Sequence, residues 1–326
     1  PPWGAAPYAK RQAWGPHEHR TAARRREGPL GGQRRTRSDK RGGHMSTVLH
    51  LSDTHFGTER PVVVEALVAL AARQRPDLVI LSGDITQRAR PAQFRAARAF
   101  VERLGAPVLA IPGNHDIALF DLWSRIVRPY AGFCAAFGDD LAPVHAASDL
   151  LVIGVNTTRA RRHRHGEVAP SQVEQVARLL ATAGERQLRM VVVHHPLAVP
   201  EVGERANRFR GHEAAARVWA DAGADLVLGG HIHLPFVMPV PGLARPMWVV
   251  QAGTAVSTRT RPGVPNSVNL LHWGAAAAAD DPARDDVWPP CRIERWDFCD
   301  TEQAFRPAWH TVVRPQRGSG QAPAGR

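Results

Sequence analysis

Five apolar runs in this sequence each end at residues of types that can bind metal ions or transfer protons. The run from Val108 stops at a Pro-Gly pair, and Asn114, His115 and Asp116 follow as an amide, an imidazole and a carboxylate. An apolar run of this kind predicts a buried strand, and the Pro-Gly pair predicts the turn that ends it. Open α/β sheets carry their chemistry at the carboxyl ends of their strands, so five such exits indicate one shared site.

The other four exits repeat this design with carboxylates and imidazoles. They carry Asp53 and His55, Asp84, His194 and His195, and His231 and His233. Asp53 and His55 are two residues apart, so in an extended chain both side chains project to the same side and can hold one cation. We expect His233 to complete this first site.

A second cation site is predicted from the remaining donors. Asp84 stands alone at its strand exit, and the two oxygens of a carboxylate can bridge two cations about 4 Å apart. Asn114 offers a neutral oxygen, and His194 and His231 offer imidazole nitrogens. Without cations the carboxylates and imidazoles would crowd together with no counter-charge, which is costly.

The donor types also narrow the identity of the metals. Nitrogen and oxygen ligands without a thiolate suit Mn, Fe, Zn or Co, and they argue against the oxygen cages of Ca or Mg. The three cysteines, Cys134, Cys291 and Cys299, have no C-x-x-C spacing, so they indicate neither a disulfide framework nor a zinc knuckle. We therefore expect two divalent or transition metal ions as cofactors.

The segments between the exits predict the elements that position them. From Met45 to Asp116 the pattern reads β-α-β-α-β, with apolar residues at helical spacing over 59–73 and 91–104. Further buried strands are predicted at 150–155, 190–193 and 226–229. This alternation indicates the α/β class, with the metal-type residues at the carboxyl ends of the strands.

Composition predicts the domain boundaries. Residues 1–44 hold eleven basic and three acidic residues and lack apolar periodicity, so we expect a disordered basic leader. Met45 follows directly, and translation that begins there would leave the leader outside the native protein. We expect the catalytic domain over 45–315, with its motifs in 47–255 and an antiparallel carboxyl-terminal sheet over 247–315, and a disordered tail over 316–326.

The charge and the apolar runs narrow the range of partners. The net charge of +12 is concentrated in the leader, and the remaining residues carry +4, which disfavours nucleic acid as a partner of the folded part. No apolar run approaches the ~18 residues that a bilayer span needs, and the amino-terminal end lacks the apolar stretch of a secretory signal. We expect a cytoplasmic protein without a membrane partner, and a homodimer is compatible with the sequence.

Taken together and in this order, the five motifs resemble those of the calcineurin-like metallophosphoesterase superfamily. They read Asp53-x-His55, Gly83-Asp84, Gly113-Asn-His-Asp116, His194-His195-Pro196 and Gly230-His-x-His233. The resemblance spans about residues 47–255. The His-His-Pro form and Gln251-Ala-Gly-Thr254 are similar to the bacterial branch that includes class III cyclic-nucleotide phosphodiesterases and glycerophosphodiesterases.

The resemblance implies a four-layer α/β/β/α sandwich of two mixed sheets flanked by helices, with a dinuclear metal centre. The family's His-x-Pro form selects His194 over His195 as the ligand, and it leaves His195 as a supporting residue or a substrate contact. The implied reaction is metal-dependent hydrolysis of a small phosphodiester, including 3′,5′-cyclic nucleotides, by attack of a metal-bridging hydroxide at phosphorus.

The imidazole of His115 is the candidate proton donor. It follows the ligand Asn114 but is not needed for coordination, so we expect it to protonate the leaving oxygen while Asp116 holds its tautomer. The expected substrate contacts are Asn114, His115 and His195. Three arginines, Arg210, Arg259 and Arg261, either contact phosphate or face solvent.

Three alternatives to a phosphodiesterase remain at this stage. A phosphomonoesterase of the same superfamily would differ in the cleft walls, which we expect at 117–147, 197–211 and 254–265. A nuclease would use the basic leader to bind its substrate. An inactive protein-binding scaffold of this fold usually loses ligands, whereas this chain keeps all seven.

Overall fold

A computed structural model of the chain describes residues 45–118, 127–162, 164–274 and 289–316. The predicted leader and all but the first residue of the predicted tail lie outside the described residues. Within them the chain forms two six-stranded sheets and five α-helices, so the predicted α/β class is confirmed.

The first sheet has the strand order β12-β11-β10-β1-β2-β3. Its strands are β1 (Ser46–Leu51), β2 (Leu78–Ser82), β3 (Val108–Ile111), β10 (Ser267–Trp273), β11 (Cys291–Cys299) and β12 (Ala304–Val313). Strands β1, β2 and β3 are parallel, and β10 to β12 continue the sheet in antiparallel fashion from β1. The exits of the three parallel strands therefore lie at one edge of this sheet.

The second sheet has the order β4-β5-β6-β7-β9-β8. Its strands are β4 (Val144–Ala146), β5 (Leu150–Gly154), β6 (Leu188–Val192), β7 (Leu226–Gly229), β8 (Phe236–Pro239) and β9 (Trp248–Gln251). The four inner strands are parallel, and β4 and β8 pair in antiparallel fashion at the two margins. Both sheets are thus mixed, as the resemblance implies.

Helices cover the outer face of each sheet. They are α1 (Pro61–Gln74), α2 (Pro91–Glu102), α3 (Ala131–Phe137), α4 (Pro170–Ala181) and α5 (His212–Asp221). Three of them begin with proline, whose missing N–H costs nothing in the first helical turn. Among the residues that the structure describes, no helix combines the length and apolarity needed to cross a membrane.

Three apolar cores separate the layers. Residues of α1 and α2 pack with the outer face of the first sheet, and residues of α4 and α5 pack with that of the second. The third core lies between the sheets, where Val48 and Ile80 of the first sheet share one cluster with Val192 and Leu228 of the second. This arrangement is the four-layer sandwich.

The carboxyl-terminal strands differ from the prediction. A carboxyl-terminal antiparallel sheet was expected over 247–315; β10 to β12 are antiparallel but extend the first sheet, and β9 is a parallel strand of the second. Short apolar runs between turns predict strands but do not reveal their partners, because pairing depends on residues far away in the chain. In the helical excursion predicted over 117–147, residues 119–126 lie outside the described residues, and the described part contains α3 and β4.

One charged cluster stabilises the pairing of β10 with β11. The Glu294 carboxylate accepts hydrogen bonds from Arg292 Nε and Trp296 Nε1, both at 2.8 Å, and lies 3.8 Å from His272 Nε2. His272 first, and Trp296 and Arg292 with it, lower the pKa of Glu294 from its ordinary 4.5 to about 2, against the opposing effect of burial.

We predict that Glu294→Gln destabilises the fold at pH 7 by about 1 kcal/mol, since this carboxyl is partly screened by solvent. A pKa that is depressed in the folded state stabilises the protein above the unfolded pKa near 4.5, and this stabilisation is lost as the pH falls toward 2. Urea unfolding at pH 7 and pH 3 measures the difference. Glu302→Gln, at an exposed ion pair with Arg306, is the control. A difference of the same size at both pH values would contradict the prediction.

Candidate metal centre

The predicted ligands stand on an unusual backbone. Asp53, His55, Asp84, His231 and His233 all have positive φ angles, of 51°, 42°, 48°, 74° and 56°. Residues other than glycine rarely adopt this left-handed backbone conformation, and each one that does so costs on the order of 1–3 kcal/mol. Backbone bonds between the strand exits hold the conformation: Asp53 N donates to Gly83 O at 3.1 Å, and His55 N donates to Asp84 O at 3.0 Å.

Asp53, His55 and His233 form the first donor cluster. His233 Nε2 lies 3.2 Å from Asp53 Oδ1 and 3.2 Å from His55 Nε2. His233 Nδ1 donates to the backbone carbonyl of Arg259. Because a carbonyl only accepts, this bond places the lone pair of the neutral ring on Nε2, which faces the carboxylate.

A second cluster gathers Asp84, Asn114 and His194. His194 Nε2 lies 3.3 Å from Asp84 Oδ1 and 3.2 Å from Asn114 Oδ1. His194 Nδ1 donates to the Ser82 carbonyl at 2.9 Å, so its Nε2 lone pair also faces oxygen atoms. The ring of His231 packs edge-on against His194 with 5.1 Å between centroids.

The Asp84 carboxylate lies between the two clusters. Its Oδ1 approaches His194, and its Oδ2 lies 3.8 Å from His55 Nε2 in the first cluster. Asp84 therefore lies between the two clusters, and the seven predicted ligands come together at the edge where the parallel strands of both sheets end.

The pKa shifts follow from this crowding. Burial alone lowers the pKa of His194, but the neighbouring Asp84 carboxylate outweighs burial and raises the pKa to about 9. His233 also has a raised pKa, because Asp53 outweighs its burial. Burial lowers the pKa of His55 and of His231 to about 3. Each carboxylate therefore attracts a positive charge, a proton or a metal cation, to the imidazole nitrogen that faces it.

The donor set fits metal ions. Asp53 Oδ1 and His231 Nδ1 are buried without a hydrogen-bond partner, although both are strong polar atoms. Two groups, Asp53 with His55 and His233, and Asp53 with Asp84 and His194, each bring their ligand atoms within 4.8 Å of one another. Imidazole and carboxylate donors without thiolate suit a divalent transition metal.

Asp116 has a different role from the one expected. Its carboxylate accepts backbone N–H bonds from Gly113, Ile85 and Thr86 at 2.8–3.0 Å, and the Thr86 hydroxyl at 2.8 Å. It thereby ties the turn that carries Asn114 to the exit of β2. The expectation that Asp116 holds the tautomer of His115 is wrong, because the aspartate is committed to this backbone.

The imidazole of His115 is held by other groups. Its Nδ1 donates to the Gln87 carbonyl at 2.9 Å, and its Nε2 lies 3.2 Å from Arg259 Nη1. The ring stands edge-on to His55, with 4.9 Å between centroids. Gln87 thus fixes the proton on Nδ1, and Nε2 is the nitrogen that accepts from Arg259.

His195 packs behind the second cluster. Its Nδ1 bonds the Thr157 hydroxyl at 2.8 Å, and its ring lies 4.4 Å from the His231 ring. Burial, followed by the charge of His231, lowers its pKa well below the ordinary range. Of the two roles expected for His195, the contacts favour support of His231.

Sequence reasoning missed the groups that orient the ligands. The carbonyls of Ser82, Gln87 and Arg259 fix three imidazoles, and backbone atoms leave no signal in residue type. Of the three arginines left open, Arg259 contacts His115, Arg261 pairs with Glu204, and Arg210 is exposed.

Comparison with known proteins relates the sequence that carries these ligands to a family. The sequence profile described as calcineurin-like phosphoesterase matches residues 46–235, which cover more than half of the chain and all seven predicted ligands. The chain belongs to the calcineurin-like phosphoesterase family. The predicted resemblance is therefore confirmed at the level of the family.

Family members in bacteria give further comparisons. A "cAMP/cGMP dual specificity phosphodiesterase" of Mycobacterium tuberculosis is 30% identical over 205 residues, and the match covers 57% of this chain and 61% of that protein. The "glycerophosphodiester phosphodiesterase GpdQ" of Enterobacter lignolyticus is 31% identical over 163 residues, 45% of this chain and 55% of that protein. The chain thus spans only 55–61% of the length of these relatives.

A solved phosphoesterase structure shares the fold. The purple acid phosphatase of yellow lupin (Lupinus luteus) superposes with a TM-score of 0.61 and 12% identity, over 83% of this chain and 54% of that one. At this identity the likeness concerns the sandwich alone.

We predict that Gly230→Ala lowers the affinity for Mn²⁺ by about tenfold or more. A Cβ at Gly230 would lie 1.8 Å from Ser52 Oγ and 2.4 Å from Asp53 Oδ2, so the Asp53 carboxylate must move. Calorimetric titration of the metal-free protein measures the affinity. Gly203→Ala is the matched control, because a Cβ there meets no atom within 4 Å. Equal affinities in the two variants would contradict this account.

Proposed function

We propose that this protein is a metal-dependent phosphodiesterase that acts on small phosphodiesters, with 3′,5′-cyclic nucleotides as the first candidates. The observation that carries the proposal is the Asp84 carboxylate between two clusters whose imidazole lone pairs face oxygen atoms. The names of the two bacterial relatives support the diester class, since both are phosphodiesterases.

Seven side chains would hold the cofactors. Asp53, His55 and His233 would hold one cation and Asn114, His194 and His231 the other, with Asp84 shared between them. Mn, Fe and Zn are the candidate metals, because the donors are imidazoles and oxygens. Two bound cations would supply Lewis acidity that lowers the pKa of water and offsets the charge on phosphoryl oxygens.

The remaining residues of the centre position the reacting groups. Gln87 holds the Nδ1 proton of His115, so the proton transferred to the departing ester oxygen would be a second one, carried on Nε2 of the imidazolium form. Arg259 donates to Nε2 in this structure, so proton donation by His115 requires the guanidinium to release that nitrogen. Asp116 keeps Asn114 in place through its bonds to Gly113, Ile85 and Thr86.

The cytoplasmic location and the homodimer stay predictions. A phosphomonoesterase or a nuclease of this family would use the same donors, so the choice of ester is decided by the cleft walls and needs a substrate panel.

We predict turnover of diesters in preference to monoesters by the full chain after chelation and reconstitution with Mn²⁺. The panel is cyclic AMP, a glycerophosphodiester, bis-p-nitrophenyl phosphate and p-nitrophenyl phosphate. Asp84→Ala should reduce diester turnover at least about a hundredfold, because the shared carboxylate is lost. Asp221→Ala, at the exposed end of α5, is the control. Preference for the monoester, or full activity of Asp84→Ala, would overturn the proposal.

We predict that His115→Ala slows hydrolysis of esters with poor leaving groups far more than that of p-nitrophenyl esters, since only a basic leaving oxygen needs a proton. Rates for a series of aryl and alkyl diesters, plotted against the pKa of the leaving alcohol, measure this. A steeper slope in the variant is expected. Equal losses across the series would remove His115 from the proton-donor role.

A further inference from the structure

Arg259 connects the metal centre with the imidazole of His115. Its backbone carbonyl accepts from His233 Nδ1, and it also accepts from the Thr254 hydroxyl at 2.8 Å. Its backbone N–H donates to Ser257 Oγ at 3.2 Å, which holds the local turn. The backbone of Arg259 is therefore fixed against the first donor cluster, and its side chain starts from a rigid position.

The guanidinium of Arg259 reaches the segments that follow β2 and β3. Its Nη1 lies 3.1 Å from Gln87 Oε1 and 3.2 Å from His115 Nε2. These two contacts use both protons of Nη1 and orient the guanidinium plane. Gln87 thus contacts both side chains. Its side-chain oxygen accepts from Arg259, and its backbone carbonyl accepts from His115 Nδ1.

The other edge of the guanidinium has no protein partner in the part of the chain that the structure describes. Arginine carries five N–H donors, and Nε with Nη2 forms the fork that binds a carboxylate or phosphate through two parallel hydrogen bonds. The residue is half-buried, so it is partly accessible to a ligand. A fork of this kind, next to His115, matches the geometry of a phosphoryl group.

Charge supports the same conclusion. Among the described residues, no carboxylate pairs with Arg259. Arg261, two residues along the chain, shows the contrast: its Nη2 binds Glu204 Oε1 at 2.9 Å, and its Nη1 binds the Ile232 carbonyl at 3.2 Å. Arg261 is thus neutralised by the protein, whereas Arg259 keeps its charge for an anion.

We propose that Arg259 binds the phosphoryl group of the substrate through its Nε–Nη2 edge. This inference rests on the proposed function, because the anion is the phosphate ester held at the metal centre. An oxygen bound at this edge draws the guanidinium toward the substrate and releases His115 Nε2, which can then take up from water the proton that it donates. Arg259 thereby removes the conflict between its contact with His115 and the proton-donor role of that histidine.

The experiment compares four proteins: the wild type, Arg259→Gln, Arg259→Lys and, as the matched control, Arg261→Gln. Each full chain is loaded with Mn²⁺, and its metal content and thermal unfolding are measured first. Isothermal titration with inorganic phosphate then gives the affinity for the phosphoryl group. Hydrolysis of bis-p-nitrophenyl phosphate gives KM and kcat separately.

For Arg259→Gln we expect the same metal content as the wild type and a loss of phosphate affinity of tenfold or more. Arg259→Lys should recover part of this loss, since an ammonium keeps the charge but not the two-pronged geometry. Arg261→Gln should bind phosphate within about twofold of the wild type. For bis-p-nitrophenyl phosphate, KM should rise more than kcat falls in Arg259→Gln.

Three results would overturn the proposal: unchanged phosphate affinity in Arg259→Gln, an equal loss in Arg261→Gln, or loss of metal together with phosphate binding. Phosphate binding is measured without turnover. A protein that binds phosphate through Arg259 but hydrolyses no diester would contradict the proposed function and leave the role of Arg259 intact.

Discussion

The lone pairs of buried imidazoles that face carboxylate oxygens are the constraint on which this structure depends. His194 and His233 each donate through Nδ1 to a backbone carbonyl, so Nε2 turns toward Asp84 and Asp53. Such an arrangement is repulsive unless a proton or a cation lies between nitrogen and oxygen. The carbonyls prevent the rings from turning away, and the fold is therefore built to require positive charge at this point.

Strained backbone conformations at the predicted ligands accompany this crowding of side chains. Left-handed φ angles at Asp53, Asp84 and His231 bring the side chains inward, at a conformational cost on the order of 1–3 kcal/mol each. Gly113 permits a close approach, because a Cβ there would lie 2.0 Å from Asp84 N. Three apolar cores hold the strands that carry these residues, and a cation bound only by the folded state adds stability by mass action.

Much of the centre was predictable from the sequence because its signals are local. An apolar run followed by Asp53-x-His55 or Gly230-His-x-His233 predicts both a strand and the ligands at its end. The partners of the carboxyl-terminal strands were not predictable in this way, because pairing is decided by distant residues. Strands β10 to β12 are antiparallel as expected, but they extend the first sheet, and β9 joins the second. The role of Asp116 was also misjudged, since its hydrogen-bond partners are backbone N–H groups that any residue type provides.

The path of the chain explains why Arg259 reaches a site made by earlier segments. Strand β9 runs parallel to β7 in the second sheet, and β10 runs antiparallel to β1 in the first. The end of β9 and the start of β10 therefore lie at the edge where the parallel strands of both sheets exit. The connection over 252–266 must cross between the sheets at that edge. Within this connection, the carbonyl of Arg259 orients His233, and the guanidinium of Arg259 contacts His115. One connection therefore contacts a histidine that follows a strand of the second sheet and one that follows a strand of the first.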